Sequence, residues 1–170
     1  MNAIDLMKQE IGWAHEFLDM VTADITPEQL GWIPPGIANP AGAILAHAVC
    51  GEDSFIAILK GTDPLFKGAW AGKTGVSEPM MGMDQEWARR ISLDLSAFRE
   101  YTQAVYRTVD EFASSLKESD LDRQIDISNL GFGVKPLAWV LAALLVSHTN
   151  AMIGELSCQI GLQGTIGYPF

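Results

Sequence analysis

The sequence predicts an all-α fold, a four-helix bundle with long crossover connections, and three observations carry that prediction. Apolar residues recur at helical spacing in four separate segments. No stretch alternates apolar and polar residues as a half-buried strand would. Two connections, residues 61–86 and 118–134, are rich in turn-forming and polar residues and too long for simple hairpins between antiparallel helices. The chain of 170 residues is 48% apolar, enough for one domain over residues 1–170 with a sizeable core. It shows no internal repeat and no linker.

The first helix is expected from Ala3 to Thr22, where Ile4, Met7, Ile11, Ala14, Leu18 and Val21 share a stripe. "DITPEQLGWIPPGIANP" ends it with four prolines. Asn39 is the expected cap of the second helix, with Pro40 at its first position. Ile44, His47, Gly51 and Phe55 or Ile58 share one of its faces, and Gly61 stops it. The connection 61–86 carries Phe66, Trp70, Met80, Met81 and Met83, and is either a crossover or part of a site. The third helix, Ser92 to Lys117, presents Leu95, Phe98, Tyr101, Val105, Val109 and Phe112. The fourth opens at Pro136 and continues to about Ile160. The tail "GLQGTIGYPF", with three glycines and a proline, cannot stay helical.

A formal charge of −10 argues against nucleic acid and against an anionic membrane surface as partners. "MNAIDLMKQEIG" has neither a basic n-region nor an apolar h-region, so no signal peptide is expected. The run "PLAWVLAALLV" is short of the ~20 residues a membrane span needs. Two cysteines, Cys50 and Cys158, make neither a disulfide framework nor a CxxC motif. The expectation is a cytoplasmic protein.

Chemistry rests on three histidines, His15, His47 and His148. His47 and His148 lie on apolar faces of the second and fourth helices. A lone histidine there is ordinarily a hydrogen-bonded core residue. Two on different helices are what a bundle uses to build a metal site, which needs inward-facing ligands and, for catalysis, an open position. "SHTNAMIGE" places Met152 four residues after His148, on the same face. His15 borders the first helix's stripe and either reaches inward as a ligand or bonds to a neighbour at the stripe's edge. Cys50, one turn from His47, is either an inert core thiol or, with Met152, part of a soft His₂CysMet set. Glu155 lies seven residues beyond His148, about 10 Å along the axis. It is the candidate general base acting through a water, with an exposed helix-end glutamate as the alternative. The loop methionines and aromatics either close the bundle's open end or roof a small-molecule pocket anchored by His47, His148 and Glu155. Neither a Gly-rich phosphate loop nor a G-x-S-x-G motif is present.

Three stretches carry a resemblance. "LGWIPPGIANPAGAILAHAVCGE" is similar to the Trp-x-Pro turn and histidine-bearing second helix of the DinB/YfiT-like family. "SHTNAMIGELSCQIGLQG…GYPF" is similar to that family's final helix and Gly-Pro tail, and the connection 61–86 fits its crossover. The resemblance covers nearly the whole chain. It implies a four-helix bundle that binds one divalent transition metal, zinc or nickel, through three histidines, and that pairs as a homodimer. His47 and His148 match the first two ligands, while Met152 stands where the third is expected. Thioether is a poor ligand for Zn²⁺ or Ni²⁺ and suits Cu(I). Two readings follow. One is a degenerate metal site kept as a small-molecule pocket or interaction module. The other, implied by the resemblance, is a metal-dependent enzyme of the S-transferase or isomerase type that uses a low-molecular-weight thiol, with His47 and His148 as ligands.

Overall fold

A computed structural model describes residues 1–169. Four long helices form its frame: α1 (Ala3–Thr22), α3 (Ala41–Lys60), α5 (Leu95–Ser115) and α7 (His148–Leu162). Short helices α2 (Pro27–Gly31) and α4 (Gln85–Arg90) lie in the connections. The last helix is continuous from Leu137 to Leu162, with α6 (Leu137–Val140) and a π-helical segment, Leu141–Ser147, leading into α7.

The helices pack as a ring in the order α1, α7, α3, α5 and back to α1. Consecutive long helices α1 and α3 therefore sit across the diagonal, and the chain must cross the bundle to connect them. Of the 20 residues of α3 only His47, Ile58 and Lys60 escape full burial. Ile44, Val49 and Ile56 are at most 1% exposed, each worth about 1.5–3 kcal/mol of burial. By length and composition α3 and the helix Leu137–Leu162 are apolar enough to cross a membrane. For α3 that apolarity is what its burial on every side requires.

The helix ends follow their sequences with one repeated exception. Asn2 and Asp5 form a capping box at α1, Asp94 accepts from Ser96 and Ala97 at α5, and Gly61 takes the left-handed conformation after α3. Pro40 and Pro136, expected at the first helical position, instead occupy the cap position, with ψ of 148° and 149°. Asn39 consequently makes no cap. A proline ring fixes φ near −65° and leaves ψ open, so it fits either position. The third helix starts later than expected because Asp94, not Ser92, caps it. A two-stranded antiparallel hairpin, β1 (Gln124–Asp126) with β2 (Val134–Pro136), interrupts the second long connection, where no strand was expected.

The crossover between α3 and α5 is tied down by a buried carboxylate. Asp53, 1% exposed, accepts from the amides of Leu65 (2.9 Å) and Phe66 (3.1 Å) and from the Tyr101 hydroxyl (2.7 Å). Further on, Gly75 (φ 76°) accepts from the Asp94 amide at 2.7 Å. A Cβ there would lie 2.5 Å from the Asp94 carbonyl oxygen, so only glycine brings the crossover onto the start of α5. Trp87 of α4, fully buried, donates to the Glu78 carbonyl at 2.9 Å. These anchors fix the segment around Met81 against α3, beside His47.

Candidate functional site

His47 occupies a break in the cover over α3, and α7 meets α3 there. The π-helical segment ends at Ser147, so the wider turns immediately before His148 set the angle at which its ring leaves the helix. Nε2 of His47 and Nε2 of His148 lie 3.1 Å apart, with ring planes at 78°. Phe55 packs edge-on to His148 with centroids 5.9 Å apart. Gly51 lies beneath the same ring: a Cβ there would be 3.8 Å from Cε1 of His148, so nothing larger than a methyl fits.

Both rings are held towards the neutral form. Burial lowers the His47 pKa, opposed in part by the carbonyls of Met81 and Gly82 beside it. Burial also lowers His148, to about 4, and the prospect of a second charge on His47 adds to the shift. Two neutral imidazoles in contact share one hydrogen bond, one donating and the other accepting. The buried Nδ1 of His47 lies beside the Met81 and Gly82 carbonyls without a hydrogen bond of good geometry.

The other sequence candidates lie elsewhere or face other partners. His15 is buried, and its Nε2 is 2.7 Å from Oε1 of Glu52, across the bundle diagonal. Its ring stacks on Tyr106 at 3.7 Å. Met152 is 8% exposed and belongs to the hydrophobic core. Glu155 is exposed on α7. Cys50 is fully buried, and burial raises its thiol to about 12, so it stays protonated. Among the described residues no three His, Cys, Asp or Glu side chains converge as a metal cluster. The methionine-lined pocket takes shape as a cavity of about 280 Å³ bounded by Ser54, Phe66, Lys67, Pro79, Met80 and Met81. The histidines do not line it.

Sequence reasoning missed the His15–Glu52 pair and the polar cluster around it. The signal was present. A carboxylate in the middle of a helix as apolar as α3 must be buried, and a buried carboxylate needs a partner.

Comparison with known proteins agrees with this architecture. A conserved protein from Enterococcus faecalis, known from its crystal structure, superposes with a TM-score of 0.74 over 95% of this chain and 99% of its own, at 20% identity. At that identity the likeness is one of fold. No curated protein matches the chain. The sequence profile of the DinB superfamily matches residues 11–150, a span that holds all three histidines and stops just before Met152. The chain belongs to the DinB superfamily.

Proposed function

We propose that this protein is a DinB-superfamily bundle with a degenerate metal site, whose remaining imidazole pair, His47 and His148, serves as the polar anchor of a small-molecule site or interaction module at the gap over α3, outside the methionine-lined cavity. The 3.1 Å contact between the two Nε2 atoms carries this reading. The pair is convergent, half-buried and neutral, at the one gap in the cover of α3 away from that helix's C-terminal end. The residues that would complete a three-ligand centre are engaged otherwise. Met152 packs in the core, His15 is bonded to Glu52, and Glu155 faces solvent. The donor set therefore does not fit a three-histidine catalytic centre. Residence in the cytoplasm and pairing as a homodimer belong to the same proposal. The dimer would cover the apolar side chains Leu6, Trp13 and Met20 that α1 exposes.

One observation favours the second reading. Two imidazole nitrogens bound at 2.0–2.1 Å to a shared ion would subtend about 100° at their 3.1 Å separation, close to the tetrahedral angle. Two neutral imidazoles would hold such an ion without first losing protons. In that case the protein is a divalent-metal-dependent enzyme acting with a low-molecular-weight thiol, whose thiolate the ion would stabilise.

Elemental analysis of tag-free protein by inductively coupled plasma mass spectrometry decides between them, repeated on His47→Ala and His148→Ala. The degenerate-site reading expects well under one metal per chain, even after incubation with Zn²⁺ or Ni²⁺ and desalting. About one metal per chain in the parent, lost in both variants, would overturn it in favour of the enzyme.

A further inference from the structure

A second cavity, of about 440 Å³, opens between α1 and α5 with Leu45 of α3 at its base, and neither His47 nor His148 lines it. That volume lies in the range of small-molecule sites. Its apolar floor is Leu18, Leu45, Leu95 and Phe98, and its polar wall is Asp19, Arg99, Gln103 and Tyr106.

The polar wall combines one buried residue, Tyr106, with three solvent-exposed side chains, Asp19, Arg99 and Gln103, whose bonds to protein are few or long. Asp19 accepts from Gln103 Nε2 at 3.3 Å and from the Tyr106 hydroxyl at 3.5 Å, both long for bonds to a carboxylate. Tyr106 is 6% exposed and fixed by its stack on His15, so its hydroxyl is positioned rather than mobile. Burial raises the Asp19 carboxyl pKa, with Gln103, His15, Tyr106 and Arg99 opposing the shift. Arg99 spends one nitrogen on the end of α1, donating from Nη2 to the carbonyls of Thr22 (3.1 Å) and Ala23 (2.7 Å). Its Nη1 and Nε have no protein acceptor among the described residues, and no ion pair joins Arg99 to Asp19.

We propose that this cleft binds a small zwitterion, an α-amino acid with an apolar side chain, with its ammonium on Asp19, its carboxylate on Arg99 and its side chain on Leu18, Leu45 and Phe98. The cleft presents one charge of each sign without pairing them. A simple amine would answer Asp19 but meet Arg99 as a like charge. A simple acid would do the reverse. Only a ligand carrying both charges satisfies both walls, and the floor selects an apolar side chain of leucine or phenylalanine size. This site is independent of the histidine pair.

Isothermal titration calorimetry with four probes tests it: L-leucine, L-phenylalanine, 2-phenylethylamine and 3-phenylpropionate. The amino acids are expected to bind at least about tenfold tighter than either single-charge analogue. Asp19→Asn and Arg99→Gln should each weaken L-phenylalanine by about tenfold or more, while His47→Ala leaves its binding unchanged. Leu95→Trp, which fills the cleft and keeps both charges, should abolish binding, and far-ultraviolet circular dichroism checks that each variant is folded. Absence of binding by both amino acids at about 10 mM overturns the proposal. So does binding of phenylethylamine or phenylpropionate as tight as that of phenylalanine, which would make this a site for one charge only.

Discussion

His47 and Glu52 lie five residues apart on one buried helix, yet the two regions they anchor are opposites. Glu52 reaches across the bundle diagonal to His15 at 2.7 Å, both groups buried, with Tyr106 stacked on the imidazole. Every buried polar group there has an unlike partner. His47 faces His148, a group of its own kind, at 3.1 Å, and its Nδ1 makes no hydrogen bond of good geometry. An acid–base pair is complementary and closes on itself. Two imidazoles offer the same lone pair and the same donor, so they satisfy each other once and leave the rest of their capacity open. The first region has the character of a core fastening and the second that of a site.

Unequal cost on deletion is the sharpest way to break this contrast. Glu52→Ala leaves His15 buried and unpaired beside a new cavity, and should lower unfolding free energy by about 2–4 kcal/mol. His47→Ala removes one shared hydrogen bond but also the poorly bonded Nδ1, and should stay within about 1 kcal/mol of the parent. Urea unfolding at neutral pH measures both. Equal losses would mean that the histidine pair is as structural as the His15–Glu52 contact, and the functional reading would lose its premise.

The next largest effect concerns the third position. Met152 is four residues after His148 on α7, the spacing at which two ligands share a face. Met152→His should therefore raise Zn²⁺ affinity by about a hundredfold, because a third imidazole replaces a thioether that zinc binds poorly. Competition against a chromophoric zinc chelator reads this directly. An unchanged affinity would show that position 152 points past the pair, and that the site lacks more than one ligand.

How far the sequence foretold all this depends on how much each feature needed from its neighbours. The span of α1 was legible from its apolar stripe alone, and the capping box of Asn2 and Asp5, which the stripe does not reveal, starts the helix at the same place. The histidine pair was legible because each ring sits on an apolar face and two helices of a bundle must meet. The hairpin was not, since its strands are three residues long and in β1 only Ile125 is even partly buried, too few for alternation to register. The π-helical segment was hidden for a different reason. "LAALLVS" is apolar on nearly every side, so the pattern has no phase from which a slip could be read. His15 looked like an edge residue because its partner is 37 positions away on a helix that contact order alone does not connect to it. The cleft beneath Tyr106 was invisible for the same reason. Asp19, Arg99 and Gln103 read as ordinary exposed polar residues and stay exposed in the fold; only the packing of α1 against α5 puts them on one wall.

The smallest expected effect tests whether the histidine pair is neutral in the fold. An unfolded chain keeps a proton on His148 up to about pH 6.5, whereas the folded protein releases it at about 4. Between those values the unfolded state binds more protons, so stability falls as pH drops from 6.5 towards 4 and changes no further from this source below that. Burial shifts His47 in the same direction, and once either ring is charged the other resists protonation. Because both rings are partly exposed, solvent screening trims the effect to about 1–2 kcal/mol, or roughly 3–6 °C in Tm. Asp19 works the other way: its raised carboxyl gains protons on folding, which favours the folded state in acid. His148→Gln separates the two contributions, since it leaves Asp19 untouched and should flatten the loss of Tm between pH 6.5 and 4. If the variant keeps the whole acid loss, the charge taken up in that window belongs to another group. His148 would then titrate in the fold as it does in the unfolded chain, the pair would charge on entering mild acid instead of staying neutral down to about 4, and its burial would no longer set it apart from an exposed imidazole.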